Sequence, residues 1–98
     1  MTVVTPYRTT AIFDEETLPA ALRREHRTKA GAWGIIRVIE GELRLFFPDG
    51  REELLTENEP GYIDPEELHW VDPVGQMRMR VEFYDRPPRP SGEVEADA

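Results

Sequence analysis

The sequence predicts an all-β domain, a sandwich or a barrel, on three observations. Short runs of β-branched and aromatic residues recur between turn signals spaced roughly eight to twelve residues apart. Met77 to Tyr84 alternates cleanly, with Met77, Met79, Val81 and Phe83 on one face and Arg78, Arg80, Glu82 and Tyr84 on the other. No segment carries the amphipathic periodicity of a full-length helix.

The elements follow in order. Val3 to Phe13 is rich in β-branched and aromatic residues and broken by Pro6, as suits an arm pairing at a sheet edge. Asp14 to Pro19 is acidic and turn-forming, with Asp14 placed to cap it. Ala20 to Arg27 reads as a strand that puts Leu22, Arg24 and His26 on one face and ends at Ala30-Gly31. Trp33 to Ile39 is nearly continuously apolar, as expected of a strand covered on both faces. Glu40-Gly41 reads as a turn, Glu42 to Phe47 as the next strand, and Pro48-Asp49-Gly50 as a hairpin into Arg51 to Thr56, so the three strands form a meander. Glu57 to Gly61 is a turn, Tyr62 to Asp64 a short strand, and Pro65 to Glu67 a turn into Leu68 to Asp72, which carries His69. Asp72-Pro73-Val74-Gly75 turns the chain into Met77 to Tyr84. Residues 1–85 form the domain, and 86–98, rich in proline, small and acidic residues, form a disordered or draped tail.

The 98 residues support one core that leaves much apolar surface wet, and a homodimer would cover some of it. Twelve basic against twenty acidic residues give a net charge of −8, which disfavours nucleic acid and anionic membrane surfaces. The start has no signal-peptide pattern and no apolar run approaches the ~20 residues needed to span a bilayer, so a soluble cytoplasmic protein is expected. There is no cysteine, so a metal site must be built from imidazole, carboxylate, hydroxyl or water.

His26 and His69 are the two histidines of the chain. Each reads in the first instance as an ordinary strand residue with its nitrogens satisfied locally. Their placement beside a glycine turn and a proline turn, with Glu82 on the polar face of a third strand, lets a barrel bring all three together. Two imidazoles and a carboxylate suit a divalent ion, zinc foremost, with iron, nickel and manganese as alternatives. Lys29, Arg78 and Arg80 read first as surface cations balancing carboxylates. With Glu82 in a pocket, Arg80 would orient its carboxylate, and Lys29 would anchor a small anion. Trp33 and Trp70, like the methionine face, read as packing.

The run from Pro6 to Phe83, above all HRTKAGAWG and PEELHWV, resembles the small cupin-like family associated with tellurite resistance, the TehB N-terminal and YeaR-like proteins. The resemblance covers about four-fifths of the chain. It implies a cupin double-stranded β-helix, a jelly-roll barrel, whose pocket holds His26, His69 and Glu82, with Glu66 as a second-choice ligand or hydrogen-bond partner. Two of the four ligand positions usual in cupins fall on Thr28 and on Ala32-Trp33-Gly34, and Asp64-Pro65-Glu66 stands where Pro-x-Gly is usual. The resulting expectation is a metal-binding protein of a tellurite, oxyanion or related stress response. The alternative is a metal-free module for a small anion on the same fold. No Ser-His-Asp or Cys-His arrangement points to covalent catalysis.

Overall fold

A computed structural model of the chain describes residues 4–88. Seven antiparallel strands account for nearly all its regular structure: β1 Arg8–Thr9, β2 Phe13–Asp14, β3 His26–Arg27, β4 Trp33–Phe46, β5 Glu52–Leu55, β6 Gly61–Ile63 and β7 Leu68–Tyr84. No helix among the described residues is long and apolar enough to cross a membrane.

β4 and β7 are the frame. They pair along almost their whole length, from Trp33↔Tyr84 to Phe46↔Trp70, and the other strands attach to them. β5 and β6 add to β4, while β1, β2 and β3 add to β7. The sheet is open, where a closed jelly-roll barrel is the sequence expectation.

The expected meander is also replaced. Glu40-Gly41 and Asp72 to Gly75 do not end strands; β4 and β7 run through them side by side, with register shifts around Glu40. Each is a bulge at which a long strand bends. Gly41 and Gly75 take φ of +80° and +70°, a region that glycine enters without steric cost. The sequence signal is the same as for a hairpin turn, but a hairpin needs the two flanking runs to pair, and here both pair with β7. The Pro48-Asp49-Gly50 hairpin forms as expected, joining β4 to β5 with Phe46 opposite Glu52.

Ala20 to Arg27 is mostly not a strand. Ala20–Arg23 forms a 3-10 turn after Pro19, closed by the Leu22 amide donating to the Pro19 carbonyl at 3.0 Å, and only His26–Arg27 is extended. Alanine, leucine and arginine are good helix formers, and a proline preceding them sets φ for the first turn. Asp14 caps the preceding turn as expected, its carboxylate accepting from the Glu16 and Thr17 amides at 2.8 Å each.

Period-two alternation places Leu43 and Leu45 inward between exposed Glu42 and Arg44, where they meet Leu55, Met77 and Met79 in a fully buried cluster. The edge arm expected from Val3 to Phe13 is present as β1 and β2 on β7; residues 1–3 and the tail beyond Pro88 lie outside the described residues.

Candidate functional site

His26 and His69 are brought together by strand register. β3 lies antiparallel to β7 with His26 directly opposite His69 and Arg27 opposite Leu68. Their ring centres are 5.0 Å apart, edge to face at 72°.

A two-residue strand needs further anchors, and Thr28 supplies them. Its hydroxyl donates to the Asp64 carbonyl at 2.8 Å, and its own carbonyl accepts from the Glu66 amide at 3.0 Å. The Arg27 guanidinium donates to the Glu66 carbonyl at 3.1 Å. The turn they grip, Asp64 to Glu67, is itself closed by the Asp64 amide on the Glu67 carboxylate at 3.0 Å. Glu66 sits there at φ 62°, a left-handed conformation that costs a non-glycine residue energy and persists because these contacts over-determine it.

The same turn orients His69. Its Nδ1 lies 2.8 Å from the Glu67 carbonyl, and since a carbonyl only accepts, Nδ1 carries the proton and Nε2 keeps a lone pair. His69 is buried and His26 half-buried. Burial lowers the pKa of both; for His69 the Glu67 carbonyl works against that effect and the neighbouring His26 reinforces it. Both imidazoles are therefore neutral at pH 7.

They form part of the wall of a cavity of about 220 Å³. Because β4 and β7 bend together, Ile36, Val81 and Phe83 from one half face Val71 from the other, with Phe13 and Leu22 closing the side. Two threonines complete the polar lining, and the backbone already occupies both. Thr28 is held by Asp64, and the Thr10 hydroxyl donates to the Ala11 carbonyl at 2.8 Å while accepting from the Val81 amide at 3.0 Å. Both hydroxyl protons are thus committed, so among the described lining residues the donor left to meet a ligand is neutral His26, with His69 Nε2 beside it as an acceptor.

Glu82 is not among them. Strand alternation turns it away from Val81 and Phe83, which line the cavity, onto the opposite face of β7. There its buried carboxylate accepts from Arg37 Nε at 3.0 Å, from Arg80 at 3.0 and 3.3 Å, and from the Tyr84 hydroxyl at 2.8 Å. Burial pushes its pKa up, but the bonds from Tyr84, Arg37 and Arg80 outweigh that and hold it below the ordinary carboxylate value. Arg80 orients Glu82 as expected, but away from the histidines. Arg78 pairs with Glu40 at 2.8 Å. Glu66 contributes its backbone to the site, and Lys29 lies with Arg8 and Arg27 at a second opening that shares His26, Thr28 and Phe83 with the cavity. Among the described residues, no group of three His, Asp or Glu is placed to hold a metal ion.

Sequence reasoning placed Thr28 at a usual cupin ligand position but gave it no role in the site, and gave none to the Glu67 carbonyl, Arg8 or Arg27. Thr28 shares His26's strand face at i, i+2, and that spacing is the signal by which it could have been found.

Comparison with known proteins bears on the fold and the family. TehB from Haemophilus influenzae superposes with a TM-score of 0.76 at 19% identity, over 98% of this chain and 36% of TehB. The chain thus spans about a third of the length of TehB. A protein from E. coli strain K12 superposes with a TM-score of 0.74 at 16% identity, over 88% of this chain and 93% of the other. Both are similar in fold. Sequence comparison with curated proteins gives no match. Residues 8–81, which include all seven strands but the end of β7, match the family described as the TehB-like domain. The chain belongs to the TehB-like domain family, a family associated with tellurite resistance.

Proposed function

We propose that the protein is a small-ligand-binding module acting in a tellurite-related stress response, with its ligand seated in the cavity against His26 and His69. One observation carries this reading: in an otherwise apolar cavity, His26 makes no hydrogen bond to another described residue and His69 keeps Nε2 unbonded, whereas both threonine hydroxyls have already given their protons to backbone carbonyls. His69 offers the Nε2 lone pair and neutral His26 both a donor and an acceptor, so the pair can orient a polar group on a ligand whose body the aliphatic and aromatic walls desolvate. A cupin-like barrel belongs to the same reading, supported by the way β4 and β7 bend together to wall one cavity.

The test is thermal unfolding with 2-phenylethanol, whose ring and short polar arm match the cavity in size. A ligand held only by the folded state raises the melting temperature with concentration, by about 2.7 kcal/mol of stability at a hundredfold excess over Kd. The rise is expected in the native chain and reduced in His69→Gln. Absence of any rise up to the solubility limit would sink the reading. Loss of tellurite tolerance in cells carrying His69→Gln in place of the native chain would tie the site to the response.

A second reading places a divalent ion on the pair. Two imidazoles sharing a tetrahedral ion at a metal–nitrogen distance of about 2.0–2.1 Å have ring centres about 5 Å apart, close to the spacing seen here. The Nδ1–H to carbonyl bond of His69 is also the arrangement that fixes a metal-binding histidine with Nε2 forward. The residues that would hold it are these two imidazoles, with other positions left to water or an anion, and the ion would act as a Lewis acid toward what it binds. Titration with zinc, iron, nickel or manganese that raises the melting temperature, with the rise lost in both His26→Ala and His69→Ala, supports it; an unmoved melting temperature rules it out.

A further inference from the structure

Resting on that reading of the cavity, we propose that its ligand is a small amphiphilic anion: an apolar body inside the cavity and one anionic head group at the adjoining opening. The opening is lined by Tyr7, Arg8, Arg27, Lys29 and Ala32, and it meets the cavity at His26, Thr28 and Phe83. Among the described residues three cations line it and no carboxylate does, in a chain whose acidic residues outnumber its basic ones by twenty to twelve.

None of the three cations is neutralised by another described residue. Arg27 donates to a backbone carbonyl, that of Glu66, which carries no charge. The Arg8 guanidinium stands 5.9 Å over the ring of Phe83, a side chain shared by the cavity and its opening. Lys29 is exposed and makes no ion pair with another described residue. A free inorganic anion would gain these charges but leave the apolar walls unused, and a neutral apolar molecule would fill the walls but leave the charges unmatched. An amphiphile satisfies both, with His26 at the boundary between its parts and His69 within the cavity.

Cavity size sets the body. An apolar cavity of about 150 Å³ takes a benzene ring, so by proportion about 220 Å³ takes roughly nine heavy atoms. A phenyl or branched aliphatic group with a one- or two-carbon arm meets that limit.

Calorimetric titration with phenylacetate, benzylphosphonate and the uncharged 2-phenylethanol tests the proposal on the whole chain. At low ionic strength at least one of the two anions should bind tenfold or more tightly than the alcohol, and the stronger of the two identifies the head group. The advantage should shrink as salt rises to 0.5 M, because the opening is wet and its charges are screened. It should fall at least threefold in Lys29→Gln, a change at an exposed side chain, and further in the Arg27→Gln, Lys29→Gln double variant. If the alcohol binds and neither anion binds more tightly, the anionic head group is wrong and the cavity reading stands. If none of the three binds, both are wrong.

Discussion

Gly41 and Gln76 approach so closely where β4 and β7 bend that a Cβ on Gly41 would stand 2.3 Å from the Gln76 carbonyl oxygen and 2.9 Å from the Met77 Cα. Backbone cannot yield as a flexible side chain can. Gly50 also has a positive φ, at 96°, but nothing lies within 4 Å of its Cβ position. Gly50→Ala is therefore expected to cost about 1–2 kcal/mol from conformation alone. Gly41→Ala should cost clearly more, about 3 kcal/mol or beyond, or prevent folding. Urea denaturation of the two variants decides it, and equal losses would mean the bend is not tightly packed.

The Glu66 conformation gives the opposite sign. A glycine at φ 62° escapes the left-handed penalty, offset in part by the greater freedom of the unfolded chain. Glu66→Gly should raise stability by up to about 1 kcal/mol. Arg27 and Thr28 hold the backbone at position 66 and would remain in place, so ligand-induced stabilisation should persist. A destabilised variant would show that the Glu66 side chain has a role its exposed position does not suggest.

Glu82 should make the fold sensitive to acid. Its pKa is lower folded than unfolded, so its contribution is complete above the ordinary value of 4.5 and is lost as pH falls through the lowered folded value. Glu82→Gln removes that dependence and weakens the charge-assisted bonds from three residues, at a cost of about 1–3 kcal/mol near pH 7. The check is the urea midpoint followed from pH 7 to pH 3. Native and variant chains should converge toward the acid end, and parallel curves would contradict the assignment.

The histidines act at higher pH. Burial lowers both folded values, so below the ordinary value of 6.5 the unfolded chain takes up protons that the folded chain refuses. Stability should be level above that value and decline as pH falls from it toward the lowered folded values. His69→Gln should flatten the decline below pH 6.5. Imidazole carbon and proton shifts followed by NMR would report the two titrations directly, and values at or above 6.5 would refute the burial argument.

Much of the fold was legible because alternation is a local property. Met77 to Tyr84 shows its two faces in sequence, and from the same alternation Glu82 must lie opposite Val81 and Phe83. What the sequence left open was which of those faces would meet the histidines, and that depends on how β4 and β7 pair. Gly41 and Gly75 illustrate the limit: a glycine at positive φ serves a hairpin or a bulge equally, and only the identity of the partner strand separates them. Ala20 to Leu22 likewise satisfies a helical turn and a strand face, and Pro19 tipped it to the turn. The meeting of His26 with His69 was expected, but the side chains that anchor it, Arg27 and Thr28, bond to backbone carbonyls of Asp64 and Glu66, and those acceptors leave no mark in residue type.

The arm and the end of β7 are neighbours: the Tyr7 amide donates to the Phe83 carbonyl at 2.9 Å, and Arg8 lies opposite Phe83. Chain enters and leaves the domain at one place, a geometry that lets a module be carried within a longer polypeptide without distortion. That place is also the rim of the cationic opening, to which Tyr7, Arg8 and Phe83 all contribute. The pairing that brings the two ends of the described chain together therefore also shapes the doorway of the cavity.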